Sequence, residues 1–209
     1  MKNRIEKIRE IIADSEFDSL LIDSDVNRFY LTNFTGSAGR VLFTPKNEYF
    51  ITDFRYTEQA AEQTEGFEII ELNKDIVESI NDILKRDGTK KLGFESKTVT
   101  HYQYGQYDKK LKDIELIATE DLVKDIRMIK DEHEIEMIKK AIVISDQAFE
   151  HILDYIEPGM TEKEVALELE TYQKKLGGSK NAFDFIVASG ERSSMPHGVA
   201  SDKVIKEND

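Results

Sequence analysis

Between residues 5 and 117 short apolar runs alternate with amphipathic segments, and this alternation limits the fold more than any other feature of the chain. The runs at 19–22, 40–44, 48–52, 67–72, 91–94 and 114–117 are rich in β-branched and aromatic residues, which predicts strands. Between them lie helical patterns. Ile5, Ile8, Ile11 and Ile12 recur at helical spacing over residues 2–13. Asp23-Ser24-Asp25 supplies a cap for a helix carrying Val26, Phe29, Tyr30 and Leu31. Another helix is expected to start at Asp53 and contain Ala60 and Ala61. A further one runs from Asp75 to Arg86 and stops at Asp87-Gly88, and a tyrosine-rich one occupies 100–111. The turn at Pro45-Lys46-Asn47 joins two successive strands directly, whereas the other strands are separated by helices. Hairpin and crossover connections in one chain predict an α/β layer domain with a mixed sheet, ending near residue 120.

The character changes from Asp121. A short connecting helix is expected over 121–130, then a long helix capped by Asp131 with Ile135, Ile138, Ala141, Ile142, Ile144, Ser145 and Phe149 along its inner face. It should finish at Glu157-Pro158-Gly159. Thr161-Glu162-Lys163-Glu164 reads as the capping box of a further helix that ends at Leu176-Gly177-Gly178. The apolar run from Phe183 to Ala188 reads as a strand that stops at Ser189-Gly190. A polar segment follows and presents His197 between Pro196 and Gly198.

Composition removes several classes of function. A net charge of -13 argues against non-specific nucleic-acid binding, which needs a basic face. No apolar run approaches the ~20 residues of a membrane helix. With no cysteine there are no disulfides and no thiolate metal sites, which fits a cytoplasmic protein. The first residues mix charges and lead into an amphipathic helix, unlike a signal peptide.

Few residues stand out as chemistry. His133-Glu134 would suit a zinc-peptidase helix, but Met137 occupies the position of the second histidine, so a solvated helix face is expected. His101 and His151 read as surface or capping histidines. Gly36 and Gly39 precede a strand rather than a helix N-terminus, so they predict a tight turn and not a phosphate cradle. Arg55 follows a strand end, where binding loops sit, and from pattern alone it is a surface arginine. For His197 two readings stay open. It is an ordinary loop histidine, or an imidazole held at a fixed angle toward a ligand by a proline before it and a glycine after it.

Four stretches in order resemble one family. These are Phe34-Thr35-Gly36-Ser37-Ala38-Gly39, Asp53-Phe54-Arg55-Tyr56, the segment Ile126-Arg127-Met128-Ile129-Lys130 with Glu134-Ile135 and Lys140-Ala141, and the end of the chain with Ile186-Val187-Ala188-Ser189-Gly190 and Met195-Pro196-His197-Gly198. Together they resemble the Xaa-Pro peptidases (aminopeptidase P and prolidase) of the pita-bread metallopeptidase family. The resemblance implies a creatinase-type N-terminal α/β domain over 1–120, a connecting helix over 121–130 and the first part of an α+β pita-bread catalytic domain over 131–209. It also implies hydrolysis of the bond between an N-terminal residue and a following proline.

In that family two divalent metal ions, often manganese or cobalt, share a bridging hydroxide held by two Asp, one His and two Glu. The histidine matching His197 contacts substrate and stabilises the tetrahedral intermediate, and the arginine matching Arg55 reaches the substrate region, often near a dimer partner. The resemblance thus implies a homodimer acting on proline-containing peptides, with His197 catalytic and substrate-binding and Arg55 substrate-binding. The first metal-binding Asp of the family is expected just beyond Asn208-Asp209, so no metal ligand is assigned, no metal is expected on this chain, and these residues alone are expected to be inactive. Two other readings are a creatinase-like hydrolase without metal and a non-catalytic peptidase-like binding module. Ile138, Ile142 and Phe149 are expected to lack their covering sheet, and residues 1–120 to resist proteolysis longer than the rest.

Overall fold

A computed structural model describes residues 2–209, with Lys2 described by its backbone alone. The chain forms two compact units, one running to Ile129 and the other spanning Lys130–Asp209.

In the N-terminal unit the elements follow the order α1 (Lys2–Ala13), β1 (Ser19–Ile22), α2 (Asp25–Thr32), β2 (Arg40–Phe43), β3 (Glu48–Thr52), α3 (Thr57–Gln63), β4 (Glu68–Glu71), α4 (Ile76–Asp87), β5 (Lys91–Glu95), α5 (His101–Lys110), β6 (Glu115–Thr119) and α6 (Leu122–Met128). The six strands make one mixed sheet in the order β4-β3-β2-β1-β5-β6. β2 runs antiparallel to both β1 and β3, with Leu21 opposite Leu42 and Val41 opposite Phe50. The remaining pairs are parallel, as crossovers through helices require.

Side-chain alternation sends each strand's residues to two separate cores. Leu20, Ile22, Val41, Phe43 and Phe50 pack with Ile8 and Ile12 of α1, Leu31 of α2, Ala60 of α3 and Val123 of α6. Leu21, Leu42, Tyr49, Ile51 and Leu92 pack on the other face with Ile80 and Leu84 of α4 and Tyr107 of α5. A sheet buried on both faces explains why these strands read as continuous apolar runs. Caps fix the helix ends. Ser24 accepts the Asn27 N–H, Asp75 accepts those of Val77 and Glu78, and Thr100 with Gln103 forms a capping box. Gly88 takes the left-handed conformation that ends α4.

The second unit contains α7 (Glu132–Tyr155), α8 (Glu162–Lys175) and a 3-10 turn at Gly190–Ser194. The expected capping box of Thr161 with Glu164 forms, and the expected Asp131 cap proves to be a second box, with Glu134. Residues 201–205 run back along the start of α8: the Glu162 N–H donates to Lys203 O, Lys163 to Ser201 O, and Ile205 N–H to Met160 O. Along α7 only Ala148 and Ile152 are buried, and Ile138, Ile142 and Phe149 are exposed.

Two expectations do not hold. Residues 53–56 form a turn, and α3 starts at Thr57, because Asp53 spends its carboxylate on the Arg55 N–H and side chain instead of capping a helix. The run from Phe183 to Ala188 is not a ladder strand; it makes a lone antiparallel bridge, Ile186 with Val199. A strand exists only through its neighbours, and Val199 is the one partner this run finds among the described residues. No helix of the described residues is long and apolar enough to cross a membrane.

Candidate functional site

β3 delivers Arg55. The strand ends at Thr52, and Asp53 to Tyr56 form a turn closed by the Tyr56 N–H on the Asp53 carbonyl at 3.0 Å. Asp53 then grips Arg55 in a two-pronged pair, Nε to Oδ1 at 2.9 Å and Nη2 to Oδ2 at 2.8 Å, and also accepts its backbone N–H at 3.1 Å. Those bonds hold the Asp53 carboxyl below its ordinary range and raise Arg55 in return. Arg55 is well exposed, so the pair adds little stability and chiefly sets the direction of the guanidinium.

The loop at residues 35–39 braces this turn. Ser37 Oγ and Tyr56 Oη share a hydrogen bond of 2.8 Å, and the Thr52 hydroxyl donates to Ala38 O at 2.7 Å. Buried Arg28 reaches from α2 to the carbonyls of Gly36 and Gly39, at 2.8 and 2.9 Å. The glycines are there for packing. A Cβ on Gly36 would run into the rings of Phe34 and Tyr56, and one on Gly39 would lie 2.5 Å from the Phe50 ring. Since this loop offers carbonyls to an arginine, it is a tight turn and no phosphate cradle.

In the second unit His197 stands at the tip of a turn. The Gly198 N–H donates to Met195 O at 3.1 Å, which places Pro196 and His197 at the two central positions, with the imidazole exposed. Gly198 is buried, and a Cβ there would sit 2.9 Å from Ala188 Cβ, so glycine lets this segment pack closely against its neighbour.

Glu162, the first residue of α8, holds both flanks of that turn. Its fully buried carboxylate accepts the Ser189 N–H and hydroxyl on Oε1, at 2.8 and 3.2 Å. On Oε2 it accepts the Ser201 hydroxyl at 2.6 Å and N–H at 3.1 Å. Arg192 Nε approaches Oε2 at 3.1 Å, and its Nη2 donates to Val199 O at 2.8 Å. Burial alone would raise the Glu162 carboxyl; the Ser201 and Ser189 hydrogen bonds outweigh it and hold the group at about 2.

Arg55 and His197 thus lie in different units. His101 opens α5 just after its Thr100 cap and is exposed, and His133 lies on an exposed part of α7. His151 has a role the sequence does not show. It stacks on Tyr172 with ring centroids 3.8 Å apart and shares a 2.8 Å hydrogen bond with Glu168, locking α7 to α8. Arg28 and Glu162 carry no sequence signal: a buried arginine on a short helix resembles a solvated one, and an acid in a first helical turn is ordinary. Among the described residues no three His, Asp or Glu side chains are grouped to hold a metal ion.

Residues 4–129 match the creatinase/prolidase N-terminal domain, and residues 136–209 match metallopeptidase family M24. The chain belongs to the creatinase/prolidase family. It is 44% identical to the uncharacterized peptidase YqhT of Bacillus subtilis over 99% of its own length and 58% of that protein's. It is 34% identical to an Xaa-Pro dipeptidase of Pyrococcus furiosus, covering all of this chain and 59% of that one. Among solved structures, the Xaa-Pro dipeptidase from Bacillus anthracis superposes with a TM-score of 0.92 at 44% identity, over 98% of this chain and 57% of that one. The X-Pro aminopeptidase from Thermotoga maritima gives 0.87 at 37% identity, over 97% and 58%. The chain therefore spans under three fifths of the length of these relatives.

Proposed function

We propose that the protein containing this chain hydrolyses the peptide bond between an N-terminal residue and a following proline. The likeness to Xaa-Pro peptidases along nearly the whole chain carries this reading, at 44% identity and a TM-score of 0.92 for one of them. In this reading the protein works as a cytoplasmic homodimer on proline-containing peptides, with two divalent metal ions, manganese or cobalt. The described residues do not by themselves make up a metal centre, so the chemistry assigned to them is binding and orientation.

His197, exposed at the tip of a fixed turn, is assigned to the scissile carbonyl. As charge develops on the carbonyl oxygen, an imidazole N–H aimed at it is worth more in the transition state than in the ground state. The imide nitrogen of an Xaa-Pro bond carries no hydrogen, so recognition falls on the carbonyl and on the peptide's free ends. Arg55 is assigned to substrate binding: Asp53 takes its Nε and one Nη2 hydrogen, which aims the remaining N–H groups of the guanidinium edge at a substrate carboxylate or carbonyl.

The test is turnover of Xaa-Pro dipeptides and longer Xaa-Pro peptides by the full-length protein with manganese or cobalt. Hydrolysis before proline, abolished by a chelator, is expected. His197→Ala should lower kcat by about 100- to 1,000-fold. Absence of cleavage with either metal, or cleavage of creatine instead, would overturn the reading.

A further inference from the structure

We propose that Glu162 is the positioning residue that fixes the His197 turn, acting through the backbone on either side of it; the inference rests on the peptidase reading above. Local bonds lead into the turn, the Arg192 N–H to Ser189 O at 3.1 Å and the Met195 N–H to Arg192 O at 2.9 Å, and Lys203 Nζ donates to Ser189 Oγ at 2.8 Å. Among the described residues the segment before the turn forms no ladder and pairs through a single bridge, Ile186 with Val199. Glu162 supplies what a sheet would otherwise give. One carboxylate oxygen takes the N–H and hydroxyl of Ser189, ahead of the turn, and the other takes those of Ser201, behind it. Arg192 adds a third point, bonded to the carboxylate and to the Val199 carbonyl.

A carboxylate suits this task better than an amide or a hydroxyl. It offers acceptors only, and every group that surrounds it here is a donor. Glu162 is also rooted. Its own N–H is bonded to Lys203 O, and it opens a helix whose cap, Thr161, is in place. The carboxylate therefore transfers the rigidity of α8 to the loop that presents the imidazole. Moving that imidazole by about 1 Å is enough to lose on the order of 100-fold in rate.

The test uses the full-length protein and two independent readouts, steady-state hydrolysis of an Xaa-Pro peptide and hydrogen exchange of the segment 189–201. Glu162→Gln turns an amide N–H toward donors. It should lower kcat about 100-fold with KM held within about threefold, and speed exchange across 189–201 while β1 and β2 stay protected. Unchanged exchange in 189–201, or a kcat within about twofold of the parent, overturns the proposal. Should Glu162→Gln also expose β1 and β2, Ser201→Ala decides, since it removes one donor and leaves the carboxylate paired. It should cost about tenfold in kcat, the effect of one hydrogen bond, and an unchanged kcat overturns the proposal. Exchange needs no turnover. A parent protein that cleaves no Xaa-Pro peptide would sink the peptidase reading, while the exchange data would still decide whether Glu162 holds the loop.

Discussion

The two units are ordered by different forces. In the N-terminal unit every strand of the sheet's centre has both faces covered, and Leu21, Val41, Leu42 and Phe50 are wholly buried. In the second unit the long helix α7 leaves Ile138, Ile142 and Phe149 exposed, Phe149 by 61%. Few apolar side chains are buried there, Ala148, Ile152 and Val165 among them, and much of the order comes from directional contacts: two capping boxes, the His151–Tyr172 stack, the return of residues 201–205 along α8, and the Glu162 carboxylate. Apolar burial is indifferent to pH and tolerant of small shifts. A carboxylate tether depends on its charge and on bond geometry.

This contrast can be broken by experiment. The largest effect belongs to the closed core. Phe50→Ala should cost the N-terminal unit about 3–5 kcal/mol in urea unfolding followed by tyrosine fluorescence and circular dichroism. Phe149→Ala, on the open face of α7, should stay within about 0.5 kcal/mol in this chain. Equal losses at both positions would erase the distinction. Gly36→Ala is next, at about 1–3 kcal/mol, because its new methyl meets the Phe34 and Tyr56 rings. A neutral outcome would mean that the loop at 35–39 yields easily.

Acid should act on the polar unit through Glu162. Its folded carboxyl lies at about 2, below the unfolded value of about 4.3. The stability it contributes is therefore complete above about pH 4.3 and lost as pH falls through 2. The amide resonances of Ser189 and Ser201 should shift over that window, and fixed resonances down to pH 2 would contradict the tether. The smallest effect on stability is expected at Arg55→Ala, within about 0.5 kcal/mol, since the side chain is exposed. The same change should let the Asp53 carboxyl rise toward its ordinary range, which a carboxyl NMR titration would read.

Much of this architecture is legible in the residues. The strand runs, the caps at Asp75, Asp131 and Thr161 and the stop at Gly88 are local signals, set by side-chain periodicity and by backbone groups within one turn. Flanking residues alone leave Arg55 a surface arginine and His197 open between two readings; both become candidates only through the family motifs in which they stand. Glu162 and Arg28 are not legible, since each acts across the chain, Glu162 on Ser189 and Ser201 and Arg28 on the loop beyond its own helix.

The sequence by itself determined the alternation of strand and helix, the acidic surface and the family motifs, for these depend on neighbours a few positions apart. Tertiary structure alone decided the sheet order β4-β3-β2-β1-β5-β6, the fate of the run at 183–188 and the partners of the Glu162 charge. A strand and a buried carboxylate have no meaning without their partners, and those partners lie tens of residues away.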